Sequence, residues 1–109
     1  MNEEIPEPIR SYYQAKNRHD IDAMLVQFSA KAIVVDERQT HSDKAAIRDW
    51  MEMTTAKYRV TAEVAEAAYA NGAWRIACLV SGNFPGSPAT IRYRFTLQGN
   101  SIARLEIGA

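Results

Sequence analysis

The chain has 109 residues with 13 basic and 13 acidic side chains, so its formal net charge at neutral pH is zero. A chain of this length forms one domain, residues 1–109, with room for one small cavity and none for a second domain. The balanced charge provides no long-range attraction to nucleic acid or to an anionic membrane, and we expect neither as a partner.

The first residues of the chain and its cysteine content indicate the cellular compartment in which we expect the protein. The first residues are acidic and interrupted by proline, whereas a secretory signal needs a basic start and then an apolar stretch. No apolar run reaches the length of a membrane span. Cys78 is the only cysteine, which excludes an internal disulfide, and the apolar alternation around it favours a small buried hydrophobe over a nucleophile. We therefore expect a cytoplasmic protein.

The first part of the chain has helical periodicity. Side chains of one stripe recur every three or four residues from Ile5 to Lys16. They predict a helix that begins near Pro8, because proline is tolerated only in the first turn. A second helix follows, with Asp20 as its N-cap and apolar positions that extend to Phe28.

A strand and a third helix come next. The apolar run that ends at Asp36 predicts a strand over residues 30–37. The polar residues 38–41 then connect this strand to a helix capped by Ser42 or Asp43. The predicted inward positions of that helix are Ala46, Ile47, Trp50, Met51 and Thr54.

The second half of the chain reads as four strands, over residues 58–69, 74–84, 89–98 and 102–107. Turn signals separate them: Asn71-Gly72, the proline-containing segment 85–88, and Gly99-Asn100. The first of these strands is rich in Ala and Glu, which also suits a helix. The predicted fold is α+β, with an antiparallel meander whose curved sheet is covered on one side by the helices. A sheet closed at one end in this way leaves a cavity.

One face of the predicted sheet is polar. In the third strand of the meander, Ile91, Tyr93, Phe95 and Leu97 alternate with polar residues that include Arg92 and Arg94. Glutamates of neighbouring strands, among them Glu66 and Glu106, can share the polar face and pair with these arginines. An open sheet with such a face would be partly exposed in a monomer, and we expect a homodimer through it.

Four segments, residues 17–23, 28–36, 44–50 and 93–102, carry a resemblance to a known family. Their composition and order resemble the nuclear transport factor 2-like superfamily, in particular its SnoaL-like branch of polyketide cyclases and ketosteroid isomerase-like proteins. The resemblance implies a cone-shaped, curved, antiparallel or mixed sheet, wrapped on one side by three N-terminal helices. It also implies that the polar sheet face often packs against a second copy of the chain.

The resemblance assigns roles to individual residues. Asp36 falls on the proton-shuttling base of the isomerases, and Tyr12 on the tyrosine that donates a hydrogen bond to the substrate oxygen. Trp50 falls on an aromatic residue that lines the pocket. The isomerases also carry a protonated acid in the penultimate strand, but the corresponding residues 90–92 include no acid. A glycine that is common before the third helix is replaced here by Asp43.

The residues themselves leave both functional and structural interpretations open. Asp36 is either a general base with a pKa raised by desolvation, or a strand-end carboxylate that accepts backbone N–H groups or pairs with Arg38 or His41. Tyr12 either donates its hydroxyl to a substrate or fills the core. Trp50 is either a wall of the cavity or a core residue. His41 either faces the cavity mouth or is an exposed loop residue.

The candidate site therefore has two catalytic residues, Asp36 and Tyr12. The candidate substrate-binding residues are Trp50, Phe28, Tyr93, Phe95 and His41. Neither histidine belongs to a metal-binding motif, and we expect no metal and no organic cofactor.

Three functions remain open. The first is a cofactor-independent isomerase, cyclase or hydrolase-like enzyme that moves a proton next to a carbonyl of an apolar or cyclic molecule. The second is a non-catalytic ligand-binding or dimerisation module of the same fold. The third is a packed scaffold whose cavity is filled by side chains.

Overall fold

The computed structural model describes residues 4–108, which form three helices and one six-stranded sheet. In chain order the elements are α1 (Glu7–Asn17), α2 (Ile21–Leu25), β1 (Phe28–Asp36), β2 (Gln39–Ser42), α3 (Asp43–Tyr58), β3 (Thr61–Ala70), β4 (Ala73–Ser81), β5 (Ala89–Gln98) and β6 (Ser101–Gly108). The predicted α+β class is confirmed. Residues 1–3 and 109, which belong to the predicted acidic start and the predicted single domain, lie outside the described residues.

The strands follow the order β2-β1-β6-β5-β4-β3. The predicted antiparallel meander is confirmed for β3 to β6, and β6 then pairs in parallel with β1, which makes the sheet mixed. Irregular register occurs between Val64 and Glu66 in β3 and between Thr96 and Leu97 in β5. Such irregularities bend a strand, so they contribute to the curvature that leaves space under the helices.

Aspartate side chains cap the N-termini of the two later helices, α2 and α3. Asp20 accepts a hydrogen bond from the N–H of Ala23 at 3.1 Å, as predicted for the second helix. Asp43 does the same for the N–H of Ala46 at 3.0 Å, whereas the side chain of Ser42 makes no capping bond. Asp43 has a φ of +69°, a conformation that favours glycine. Glycine, which the resemblance leads us to expect at this position, would adopt this conformation without strain.

The helix α1 begins at Glu7, close to Pro8 as predicted, but two other predicted boundaries are wrong. Residues 38–41 are not merely a connection, because most of them form β2 by pairing with β1. The first strand of the meander begins at Thr61 instead of residue 58, since α3 continues to Tyr58.

The core lies between the helices and one face of the sheet. Tyr93 and Phe95 of β5 point into it, while Arg92 and Arg94 are exposed on the other face, as the alternation predicts. Cys78 is fully buried, in agreement with its interpretation as a small hydrophobe. None of the helices within residues 4–108 combines the length and apolar character that crossing a membrane requires.

Gly82 lies where the end of β4 passes the end of α3. A Cβ atom at this position would be 2.6 Å from the carbonyl oxygen of Tyr58 and 2.7 Å from Cγ1 of Val60. The next residue, Asn83, donates its backbone N–H to the same Tyr58 oxygen at 2.7 Å. The backbone contact therefore depends on the absence of a side chain, and it holds the two elements together next to the cavity described below.

The substitution Gly82→Ala is expected to lower the free energy of unfolding by about 1–3 kcal/mol, because a backbone atom cannot move aside as a flexible side chain can. Urea unfolding followed by circular dichroism measures the change. Gly108→Ala is the matched control, since a Cβ there meets nothing within 4 Å. Equal unfolding energies for the two variants would contradict the close approach.

Candidate functional site

A cavity of about 250 Å³ opens between α3, the end of α1 and the inner face of the sheet. This volume holds about eight water molecules at about 30 Å³ each. Its polar lining residues are Lys16, Asp36, Glu37, Thr54, Tyr58 and Tyr93. Its apolar lining residues are Trp50, Val60, Val80, Phe84, Pro85, Ile91 and Ile107.

Asp36 is half-buried at the end of β1, with one oxygen held by a neutral donor. The indole Nε1 of Trp50 donates to Oδ2 of Asp36 at 3.0 Å. Burial raises the pKa of the Asp36 carboxyl above its ordinary value, while the Trp50 hydrogen bond acts in the opposite direction. The charge of Glu37 raises this pKa further and the charge of Lys16 lowers it. Within residues 4–108, neither Arg38 nor His41 forms an ion pair with this carboxylate.

Trp50 and His41 pack against each other. Trp50 lies about two turns into α3, where it is 5% exposed and still lines the cavity. The ring of His41 lies 5.9 Å from the Trp50 ring, tilted by 30°. His41 is not among the residues that line the cavity, because β2 pairs with β1 and places His41 opposite Val34. It packs against the indole, and its role in substrate binding stays a prediction.

Tyr12 is fully buried next to the cavity and is not one of its lining residues. Burial raises the pKa of Tyr12 far above that of an ordinary phenol, and the charge of Asp36 acts in the same direction, so the hydroxyl stays protonated. That hydroxyl has no hydrogen-bond partner within the described residues. Phe28 and Phe95, predicted as walls, pack edge-on against Tyr12 at 5.7 Å each and belong to the core.

Tyr93 and Tyr13 extend the polar character of the interior. Tyr93 lines the cavity as predicted, and its ring meets that of Tyr13 edge-on at 5.5 Å. Burial raises the pKa of both phenols. The hydroxyl of Tyr13 is also buried and interacts with the thiol of Cys78. The buried hydroxyl without any partner among the described residues is therefore that of Tyr12.

Four polar lining residues are not among the predicted site residues: Lys16, Glu37, Thr54 and Tyr58. Lys16 continues the buried stripe of α1, and its ammonium lies 5.9 Å from the centre of the Tyr12 ring. Burial lowers the pKa of Lys16 to about 8, although the charge of Asp36 acts in the opposite direction. Glu37 has a φ of +52° and accepts a hydrogen bond from the Tyr58 hydroxyl at 3.3 Å. A charged residue on an otherwise apolar stripe is the signal that could have found Lys16.

The arrangement can transfer a proton and stabilise an oxygen. A half-buried carboxylate, an ammonium and an indole share one small cavity, and neutral phenols lie beside it. Within the described part of the chain, no group of three His, Cys, Asp or Glu side chains could hold a metal ion.

The substitution Trp50→Phe is expected to raise the pKa of Asp36 further, because it removes the donor that stabilises the charged carboxylate and keeps an aromatic ring. Carboxyl-carbon NMR titration measures this pKa directly. Trp74→Phe is the matched control, since Trp74 packs on Tyr69 and does not line the cavity. An unchanged Asp36 pKa in the Trp50 variant would show that the hydrogen bond is absent in solution.

No family model matches the chain, and no curated protein does. Solved structures do match. A candidate polyketide cyclase from Sinorhizobium meliloti is 35% identical with a TM-score of 0.90, and the match covers 94% of each chain. A protein of ketosteroid isomerase-like fold from Catenulispora acidiphila, solved with trimethylamine, is 19% identical with a TM-score of 0.83, covering 97% of this chain and 87% of that one.

SalBIII, an epoxide hydrolase/cyclase-like enzyme of pyran ring formation in salinomycin, is 18% identical with a TM-score of 0.78. The match covers 94% of this chain and 87% of that one. The two more distant structures share the fold alone, whereas the Sinorhizobium meliloti protein is similar in sequence over nearly the full length of both chains. The chain belongs to the SnoaL-like branch of the nuclear transport factor 2-like superfamily.

Proposed function

We propose that the protein is a small cofactor-independent enzyme of the isomerase or cyclase type, in which Asp36 moves a proton at a carbon next to a carbonyl group. The observation that carries the proposal is the Asp36 carboxylate, half-buried at the wall of an apolar cavity and held by a neutral donor. A carboxylate with a purely structural role is usually stabilised in its charged form, which lowers the pKa. The pKa of Asp36 is raised, as a general base requires.

Tyr12 supplies the complementary group. A buried hydroxyl without a partner costs about 1–3 kcal/mol, and a substrate oxygen that reaches it would remove that cost. Burial and the charge of Asp36 both raise the pKa of Tyr12, so the phenol stays protonated and can donate. Tyr12 is therefore the proposed donor to the oxygen on which negative charge develops.

The cavity limits the size of the substrate. Its 250 Å³ lie below the range of about 300–1,000 Å³ that is typical of pockets for drug-sized ligands. The indole of Trp50 and the side chains of Ile91 and Phe84 give it apolar walls. The proposed substrate is an apolar or cyclic molecule with one ring, or a short chain, and one carbonyl group.

A second candidate function is a non-catalytic ligand-binding or dimerisation module. One observation favours it: Ile91 lines the cavity within the segment where the resembling isomerases carry a second acid. An apolar side chain there offers no hydrogen bond to a developing oxyanion. The two candidates differ in whether Asp36 accelerates a reaction.

The substitution Asp36→Asn is expected to slow proton exchange at least about 100-fold, because the amide cannot accept the proton. The measurement is deuterium uptake at the α-carbons of cyclohexanone in D2O, followed by NMR. The rate in the unmodified protein should rise with pH through the raised pKa of Asp36 and then level off, since only the ionised carboxylate is a base.

Asp49→Asn is the matched control on the exposed side of α3, and unfolding curves verify that both variants are folded. An Asp36 variant that is as active and as stable as the natural protein would eliminate the catalytic proposal. Tight binding of cyclohexanone without any acceleration of exchange would favour the binding module.

A homodimer through the outer sheet face is also part of the proposal. This face forms an open hollow of about 780 Å³ that includes Arg75, Arg92 and Arg94. Arg94 pairs with Glu106 at 3.6 Å, as the expected cross-strand pairing requires. Arg75 lies directly opposite Arg94 in the register, and like charges in that position repel.

Arg75 and Arg92 have no ion-pair partner within residues 4–108. The exposed Glu66 of a second copy would offer a carboxylate to them, because Glu66 lies at the edge of the same hollow. Charge complementarity of this kind sets the register of an interface more than its strength.

Light scattering is expected to give twice the chain mass of 12.2 kDa. Arg75→Glu should shift the equilibrium towards the monomer, because it removes a cation from the proposed interface. Arg38→Glu is the control, in the exposed turn between β1 and β2. A natural protein that remains monomeric at high concentration would rule out this interface.

A further inference from the structure

We infer that Lys16 is the anion-binding group of the cavity. This inference rests on the proposed function, which locates the reaction in the same cavity. The molecule bound there accordingly presents an acidic oxygen, such as that of an enolate or of the enol of a 1,3-dicarbonyl compound, to the Lys16 ammonium.

The first argument is position. Lys16 lies in the last turn of α1 and continues the stripe formed by Ile9, Tyr12 and Tyr13, all of which are buried. A lysine on a surface helix normally points to water, but Lys16 is only partly exposed and lines the cavity together with Asp36. The helix therefore directs a cation into an apolar space.

The second argument is the lack of a partner. Within residues 4–108, the Lys16 ammonium makes no hydrogen bond and no ion pair, including none with Asp36. Its only described contact is the weak one with the Tyr12 ring. The donors of an ammonium that lines a cavity without a protein acceptor are available to a ligand oxygen.

The electrostatics agree with this geometry. The titratable groups that act on Lys16 from other elements are Asp36 of β1 and Cys78 of β4. Together they fail to offset burial, which lowers the pKa of Lys16 to about 8. Burial thus outweighs the carboxylate charge at this cation, and an anionic oxygen in direct contact with the ammonium would favour its charged form.

The chemistry assigns complementary tasks to the two charged residues. Asp36 takes a proton from the carbon next to the carbonyl, the C–H electron pair becomes the enolate double bond, and the carbonyl electron pair moves to oxygen. Return of the proton from Asp36 to the same or a conjugated carbon restores the base and completes an isomerisation. Lys16 stabilises the oxygen while it carries the charge, without giving up a proton.

Two probes of similar size separate charge recognition from shape. Cyclohexane-1,3-dione is an enolate in neutral water, whereas cyclohexanone is uncharged. Calorimetric titration is expected to show that Lys16→Met weakens binding of the dione by about tenfold to a hundredfold, the range for hydrogen bonds to charged groups. Binding of cyclohexanone should change less than about twofold. In the natural protein, binding of the dione should weaken above about pH 8, as Lys16 loses its charge.

Lys31→Met, in an exposed position of β1, is the matched control and should leave both affinities unchanged. Lys16→Arg keeps the charge and should retain the preference for the dione. This variant keeps the inference testable if the methionine variant does not fold. Equal affinity of the natural protein and a folded Lys16→Met variant for the dione would overturn the inference, as would failure of the dione to bind.

The catalytic proposal can fail separately. Asp36→Asn removes the base and leaves Lys16 in place, so Lys16-dependent binding of the dione should persist in this variant. Lys16-dependent binding together with unaltered proton exchange in the Asp36 variant would support the role of Lys16 and contradict the role of Asp36.

Discussion

A hydrogen bond between two secondary-structure elements holds the carboxylate on which the candidate site depends. Trp50 of α3 donates to Asp36 at the end of β1, across 14 positions of sequence that contain the hairpin and the beginning of the helix. The bond orients the carboxylate without neutralising it. An arginine in place of the indole would satisfy the carboxylate more completely, but it would also lower the pKa that proton transfer requires.

The interior combines apolar walls with a polar group that lacks a partner. Most buried polar atoms of folded proteins are hydrogen-bonded, so the Tyr12 hydroxyl is an exception with a cost. The ring of Tyr12 packs against Phe28 and Phe95, and the Lys16 ammonium near it lines the cavity that contains Asp36. The cost thus falls next to the cavity, where a ligand could offset it.

Much of the fold could be predicted from local patterns. The cap at Asp20 and the turn at Asn71-Gly72, whose residues have φ of +54° and +80°, follow from residue types with clear preferences. The strand β2 could not be predicted, because it is short and polar and exists only through pairing with β1. Its turn also lacks the glycine or asparagine that normally marks such a hairpin.

The site could be predicted in part for a related reason. Periodicity shows which side chains point inward, as for Tyr93, and the family resemblance indicates Asp36 and Trp50; all three line the cavity. It does not show whether the space they meet is empty or filled, so Phe28 and Phe95 could not be distinguished from cavity walls. Lys16 was missed because long charged side chains on helices usually extend back to water.

The turn between β1 and β2 carries a conflict between two requirements. Glu37 and Arg38 are consecutive residues with φ of +52° and +64°, and each such conformation costs a non-glycine residue about 1 kcal/mol or more. Glycine at the first position would relieve that strain. It would also delete the carboxylate that receives the Tyr58 hydroxyl at the rim of the cavity. Glycine at position 37 would therefore stabilise the fold but remove a contact that closes the rim of the cavity. Stability of the chain and enclosure of a bound molecule are thus opposed at this turn.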